Sequence, residues 1–142
     1  MKGCEEVKSV GKTASVSAVV DDHNTALAVG SGGMEVLATP MMIALMEQAA
    51  CATLADGLEE GQTSVGTHIN VQHTAASPIG AEITATAVIE NISGRRIEFE
   101  VTASDVVGEI GRGKHTRIIV NEAEMTEKAA KRKKGSSFLS SL

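Results

Sequence analysis

Ala14, Val16, Ala18 and Val20 place an apolar side chain at every second position. That period predicts a strand over 13–20 with one face in the core. Asp21-Asp22-His23-Asn24 ends it with turn chemistry. A glycine-rich segment follows, Gly30-Ser31-Gly32-Gly33, expected to be too flexible to pack firmly, and it leads on to Thr39-Pro40. Threonine before proline reads as a helix start, with the hydroxyl capping free amides and the proline fitting the first turn.

Residues 40–55 then form a helix that is apolar on nearly every side, with Glu47 as its only charged group. A helix of this kind is normally surrounded by the rest of the fold. A carboxylate within it loses water unless something compensates. Ile43, Glu47, Ala50 and Leu54 fall at i, i+4, i+7 and i+11, on one face. Two readings of Glu47 stand side by side: a carboxylate at a cleft mouth or paired with an arginine, and an active-site acid or base.

Beyond Asp56-Gly57 and Gly61 the period returns to two. Over 65–73, Val65, Thr67, Ile69, Val71 and His73 share one face, which should look toward the helix. Pro78-Ile79-Gly80 is a turn, and a β-branched strand covers 81–92. Ser93-Gly94 turns into a strand over 95–103, Val107-Gly108 makes the next turn, and a last strand covers 109–120. The order is a strand, one long buried helix and four strands in an antiparallel meander. Asn121 reads as the cap of a short helix over about 122–133, acidic early and basic late, as the helix dipole favours. Residues 134–142 form a tail, frayed from Ser136 onward.

Composition narrows the function. The 142 residues are 42% hydrophobic with a formal net charge of −5, which describes one soluble domain spanning 1–142 with its core in about 13–120. Two phenylalanines, no tryptophan and no tyrosine leave nothing on which nucleic-acid bases could stack, and the acidic balance also disfavours that partner. No run approaches the roughly 18 apolar residues of a membrane span, so no membrane partner is expected. The first residues lack the apolar stretch of an export signal, so a cytoplasmic location is expected. Cys4 and Cys51 have no metal-ligand spacing and should be reduced, with Cys51 in the core. Neither a metal cluster nor a glycine-rich phosphate loop is present, so neither a metal nor a bound cofactor is expected. The basic run Lys128, Lys131, Arg132, Lys133 and Lys134 reads as a solvated helix end.

Three polar groups stand against apolar surroundings: Thr39, Glu47 and His73. Helix rise separates Thr39 from Glu47 by about 12 Å along the axis. A direct hydrogen bond between them does not follow from the spacing. Taken one at a time, a capping threonine and a core or rim histidine are the plainer readings.

The segment Thr39-Pro40-Met41-Met42-Ile43-Ala44-Leu45-Met46-Glu47, with Val65-Gly66-Thr67 and Val71-Gln72-His73-Thr74-Ala75-Ala76, resembles the hotdog thioesterases of the fluoroacetyl-CoA thioesterase type. Gly94-Arg95-Arg96 and the stretch from Gly111 to Arg117 are similar to that family's later strands, and the resemblance covers roughly 13–120. It implies an α+β hotdog fold, a curled antiparallel sheet around one long helix, usually dimerised so that sheet edges are hidden. It also implies an acyl-CoA thioesterase acting on a short or medium acyl chain, with coenzyme A present only as part of the substrate. By the same resemblance Thr39, Glu47 and His73 are the catalytic trio, and Gly66 lies where the backbone approaches the thioester. Arg117, with Arg95, Arg96 and Lys114, could meet coenzyme A phosphates, and ordinary strand-surface charge is an equal reading of all four. A homodimer, and beyond it a tetramer, are the expected assemblies. One departure concerns the substrate: the family's namesake carries an aromatic lid in the loop before the threonine, where this chain has Gly30-Ser31-Gly32-Gly33. A non-catalytic acyl-CoA or acyl-carrier binding module is the alternative. A purely structural dimer would have least use for Glu47.

Overall fold

The computed structural model describes residues 9–141, with side chains described as far as 133. Its elements are β1 (Thr13–Val19), α1 (Ala26–Val29), α2 (Thr39–Leu54), β2 (Gln62–His73), β3 (Glu82–Ser93), β4 (Arg96–Ser104), β5 (Glu109–Asn121) and α3 (Glu122–Ser141), with a 3-10 turn at Ala55–Gly57. Strand positions follow the alternation in the sequence to within a few residues. α3 begins as expected, the Glu124 amide donating to Asn121 Oδ1 at 2.9 Å, and its backbone continues to Ser141, past the expected end near 133. Cys4 lies outside the described residues.

The five strands form one antiparallel sheet in the order β1-β3-β4-β5-β2. Only β3, β4 and β5 make a meander. β2 pairs with β5, not with its successor β3, so the chain crosses the sheet end between His73 and Glu82. That crossing is fastened to the entry of α2: the Leu37 amide donates to the Ser77 carbonyl at 2.9 Å, and Val36 bridges Pro78. β2 is therefore an edge strand.

Ile83, Ala85, Ala87 and Ile89 of β3 and Ile97, Phe99, Val101 and Ala103 of β4 are buried against α2. The opposite face is polar, with Ser15 bonded to Thr86 at 2.7 Å and Ser17 to Thr84 at 3.0 Å across β1 and β3. This is alternation with one dry and one wet face. Met42, Leu45, Met46, Ala49, Ala50, Thr53 and Leu54 face the sheet from α2. The small Ala49 and Ala50 let the helix backbone approach. The expected envelopment of α2 is incomplete, because five strands cover one side only. Pro40, Gln48, Cys51 and Ala52 are exposed, and Ile43, Ala44 and Glu47 are half-buried. Cys51, expected in the core, thus lies on the open face.

One irregularity resets the expected face of β2. Gly66 pairs with Arg117 and His68 with Thr116, leaving Thr67 as a bulge. The extra residue inverts the alternation. Ser64 and Gly66 before it, and Ile69, Val71 and His73 after it, look toward α2, while Val65 looks the other way. The strand was expected to keep one parity throughout, and the bulge is why it does not.

Candidate active site

Thr39 does not act as the helix cap. The capping position falls on Ala38, which makes no side-chain bond, and Pro40 occupies the first turn. The freed hydroxyl, Oγ1 of Thr39, lies 2.8 Å from Nδ1 of His73. These residues are 34 apart in sequence and meet because β2 ends beside the start of α2. Gly111, opposite His73 on β5, is what lets the strands lie so close to the helix. A Cβ there would fall 2.6 Å from both the Gln72 carbonyl oxygen and Met42 Sδ. The pair opens on a cavity of about 310 Å³ bounded by Ala26, Ser31, Val36, Leu37 and the backbone turn at Thr74 to Ala76. His73 Nε2 is buried without a partner among the described residues. A buried nitrogen left unpaired is unfavourable, and native structures keep few of them outside functional sites.

The wall of that cavity is tied together on either side of its exposed glycine run. Thr25 caps α1 through its hydroxyl, accepting from the Ala28 amide at 3.2 Å, and Gly30 closes α1 in the left-handed region at φ 79°. The Ala26 amide donates to the Val36 carbonyl and the Leu27 amide to the Met34 carbonyl, so residues 25–37 form a closed, hydrogen-bonded flap. The preceding turn 21–24 is held by its own side chains, with the His23 amide donating to Asp21 Oδ1 and the Asp21 amide to Asn24 Oδ1.

Glu47 occupies a different place. Its side chain is 41% exposed, and its Oε2 accepts from Arg117 Nη1 at 3.1 Å. The partnered reading of Glu47 is therefore realised within the chain, while one side of the carboxylate stays open. Arg117 was expected to meet substrate phosphates. Instead it is buried, with Nε donating to Ser64 Oγ at 2.8 Å, Nη2 to the Ser64 carbonyl at 3.1 Å, and Nη1 shared between Glu47 and His115. Arg95, in the turn between β3 and β4, and Arg96 and Lys114 on the strands remain exposed, and Lys114 is engaged by Glu90 at 2.7 Å.

Gly66 lies directly behind the carboxylate. A Cβ at this position would stand 2.6 Å from Glu47 Oε2 and 3.1 Å from the His115 ring, so the residue must be glycine for the carboxylate to lie where it does. Glu47, Gly66, Thr67, His68, Ile69 and His115 bound a second cavity of about 260 Å³. His115 had no role in the sequence reading. Its signal was the inward face of β5, where Gly111, Gly113, His115, Arg117 and Ile119 alternate with outward residues and two strongly polar groups fall on the apolar side. Burial pushes the His115 imidazole below its ordinary pKa, and the Arg117 charge acts in the same direction; the His68 carbonyl and Glu47 oppose them.

Five strands curled against one long helix, with a threonine at the helix start and a carboxylate two turns on, define a hotdog-fold protein. The chain belongs to the fluoroacetyl-CoA-specific thioesterase family, whose profile matches residues 20–123. The fluoroacetyl-CoA thioesterase of Streptantibioticus cattleyicolor is 46% identical over 87 residues, which are 61% of this chain and 63% of that protein. The alignment thus spans less than two thirds of that relative. A solved structure of the fluoroacetyl-CoA thioesterase FlK superposes with a TM-score of 0.83 at 36% identity, over 87% of this chain and 96% of its own. A Thermus thermophilus member of the thioesterase superfamily gives a TM-score of 0.83 at 26% identity, over 91% and 96%. A variant of FlK solved in complex with fluoroacetate and CoA gives 0.79 at 37% identity, over 83% and 99%.

Proposed function

We propose that the protein is an acyl-CoA thioesterase that hydrolyses a short or medium acyl thioester to the free acid and coenzyme A. The observation that carries this reading is the Thr39–His73 pair, a hydroxyl withdrawn from helix capping and held 2.8 Å from an imidazole at the wall of a cavity. Family membership supports the same chemistry, as does the relative solved with CoA and fluoroacetate.

Hydrolysis requires a water or carboxylate to attack the thioester carbonyl, a group to take the proton, and stabilisation of the oxyanion. The thiolate leaves with little acid assistance. Glu47 serves as the base or acyl-accepting carboxylate, His73 accepts the proton of the hydrolytic water, and Thr39 orients the substrate or the carboxylate. The backbone at Gly66 is main chain that closely approaches Glu47, and the thioester docks against it.

Within one chain Glu47 is bonded to Arg117 and Thr39 to His73, at opposite ends of the inward face of β2. A homodimer formed through the free edge of β2 resolves the separation. Antiparallel self-pairing about Ile69 and Asn70 sets Gly66 of one chain near His73 of the other, so each Glu47 faces the other chain's Thr39 and His73. The same contact covers an exposed strand edge and the open side of α2. The protein functions in the cytoplasm. The described residues contain no helix long and apolar enough to cross a membrane.

The test is hydrolysis of a panel of acyl-CoA thioesters followed by release of free thiol. Activity should fall by about 10² or more in both Glu47→Gln and His73→Ala, the usual worth of a positioned acid or base. Binding of acyl-CoA without turnover would identify a non-catalytic acyl-CoA or acyl-carrier binding module instead.

A further inference from the structure

His115 is the buried titratable group for which the reaction has no use. Its side chain is 1% exposed and stacks on Phe99 with ring centroids 6.0 Å apart. Its two nitrogens have different partners. Nδ1 lies 2.7 Å from the carbonyl oxygen of His68, the residue after the β2 bulge, so Nδ1 carries the hydrogen and donates it. Nε2 is then a bare lone pair, and Arg117 Nη1 lies 3.2 Å from it as the donor. The same Nη1 reaches Glu47 Oε2 at 3.1 Å. One arginine nitrogen therefore divides its two hydrogens between a neutral imidazole and the carboxylate. Ser64 anchors the other side of the guanidinium through its hydroxyl and carbonyl.

We propose that His115 is a positioning residue: as a neutral acceptor it fixes the Arg117 nitrogen in the place from which it holds Glu47. This rests on the thioesterase reading for its consequence in turnover, but the geometry it asserts is separable from it. With Nε2 as acceptor, the guanidinium has a bonded partner on each side and one orientation. With Nε2 protonated, two N–H groups oppose each other across 3.2 Å, and Arg117 must turn away. The charged and titratable groups facing the ring are Arg117 from β5, Glu47 from α2 and His68 from β2; β4 contributes Phe99, which does not titrate.

Two variants separate positioning from packing. His115→Phe keeps an aromatic ring against Phe99 and loses both hydrogen bonds, whereas His115→Gln keeps an acceptor near the place of Nε2. The activity-independent readout is solvent exchange of the Arg117 Nη1–H signal in protein labelled with ¹⁵N-arginine, Nη1 being the nitrogen that His115 holds. In His115→Phe the signal should exchange roughly 10-fold faster, and kcat on the best acyl-CoA should fall by roughly 10-fold with KM nearly unchanged, as expected for a misplaced reacting group. His115→Gln should return both toward the original values. Undiminished Arg117 protection in His115→Phe, or a glutamine variant as impaired as the phenylalanine one, overturns the proposal. If the unaltered protein hydrolyses no acyl-CoA, the thioesterase reading falls, and the Arg117 signal still decides the positioning role. Should His115→Phe not fold, acidifying the unaltered protein makes the same test: Arg117 protection should disappear in step with titration of the His115 ring, and protection that persists through that titration refutes the role.

Discussion

Thr39 and Glu47 stand on one helix, but physical chemistry treats them differently. A capping hydroxyl contributes about 1 kcal/mol to stability, and Thr39 contributes none of it because its oxygen is turned to His73. Thr39→Val should therefore lose no capping energy, only the bond to His73, while lowering turnover by roughly 10-fold or more, and Thr39→Ser should be milder; normal turnover in Thr39→Val with a stability loss near the capping value would restore the cap reading. For His115 the sign of the pH effect follows from burial. Its folded pKa lies below the ordinary value of 6.5, so below about pH 6.5 the unfolded chain takes up a proton that the folded one refuses, and stability falls as pH falls. Thermal melts from pH 7.5 to 5.5 should show this loss, up to about 1.4 kcal/mol per pH unit, and His115→Gln should flatten it. Equal slopes in the two proteins would mean that the ring is not kept neutral by the fold. Thr39 and His73 were legible as candidates because each broke a local apolar pattern. The partner of Glu47 was not legible, since it lies 70 residues away and is fixed by strand register.

At the scale of elements, the sequence revealed periods and concealed their interruptions. Alternation located all five strands, and the Asn121 cap located α3. The bulge at Thr67 left no trace in the apolar pattern, because Val65 and Ile69 fit either parity, yet it decides that Gly66 and His73 look to the same side. The segment 25–37 divides in the same way: the glycine run 30–33 is exposed, while a threonine cap and paired backbone groups tie the residues on either side of it together. What the flap lacks is an aromatic side chain. Ala26, Ser31, Val36 and Leu37 are its contributions to the Thr39–His73 cavity, and none is aromatic. An apolar pocket discriminates by only about 1 to 3 kcal/mol per methylene, and a wall without an aromatic ring adds no rigid lid to that. Several short and medium acyl-CoAs should therefore be turned over with no strong preference for fluoroacetyl over acetyl. A ratio of kcat/KM above about 10⁴ in favour of fluoroacetyl, well beyond the per-methylene scale, would show that selection does not depend on an aromatic side chain in the flap.

For the whole molecule, two features bear on the proposed homodimer. α2 leaves Ile43, Ala44, Gln48 and Cys51 uncovered or half-covered, and β2 offers an unpaired edge with Ile69 exposed at its middle. An exposed edge strand beside an apolar helix face is an unfavourable surface for a monomer. A two-fold partner on that edge buries both, and the two-fold operation requires that whatever Glu47 meets on the partner, the partner's Glu47 meets in return. Shared sites make a prediction that sites within one chain do not. Glu47→Gln and His73→Ala should each be nearly inactive alone. When the two are denatured together and refolded as a mixture, half of the dimers are mixed, and each mixed dimer carries one site with an intact Glu47, Thr39 and His73. Activity should recover to about a quarter of the unaltered enzyme for random pairing of two chains, with sedimentation showing a dimer throughout. The same mixing gives no recovery if each chain holds a complete site of its own, and Ile69→Asp, which places a charge at the centre of the contact, should then produce active monomers instead of inactive ones.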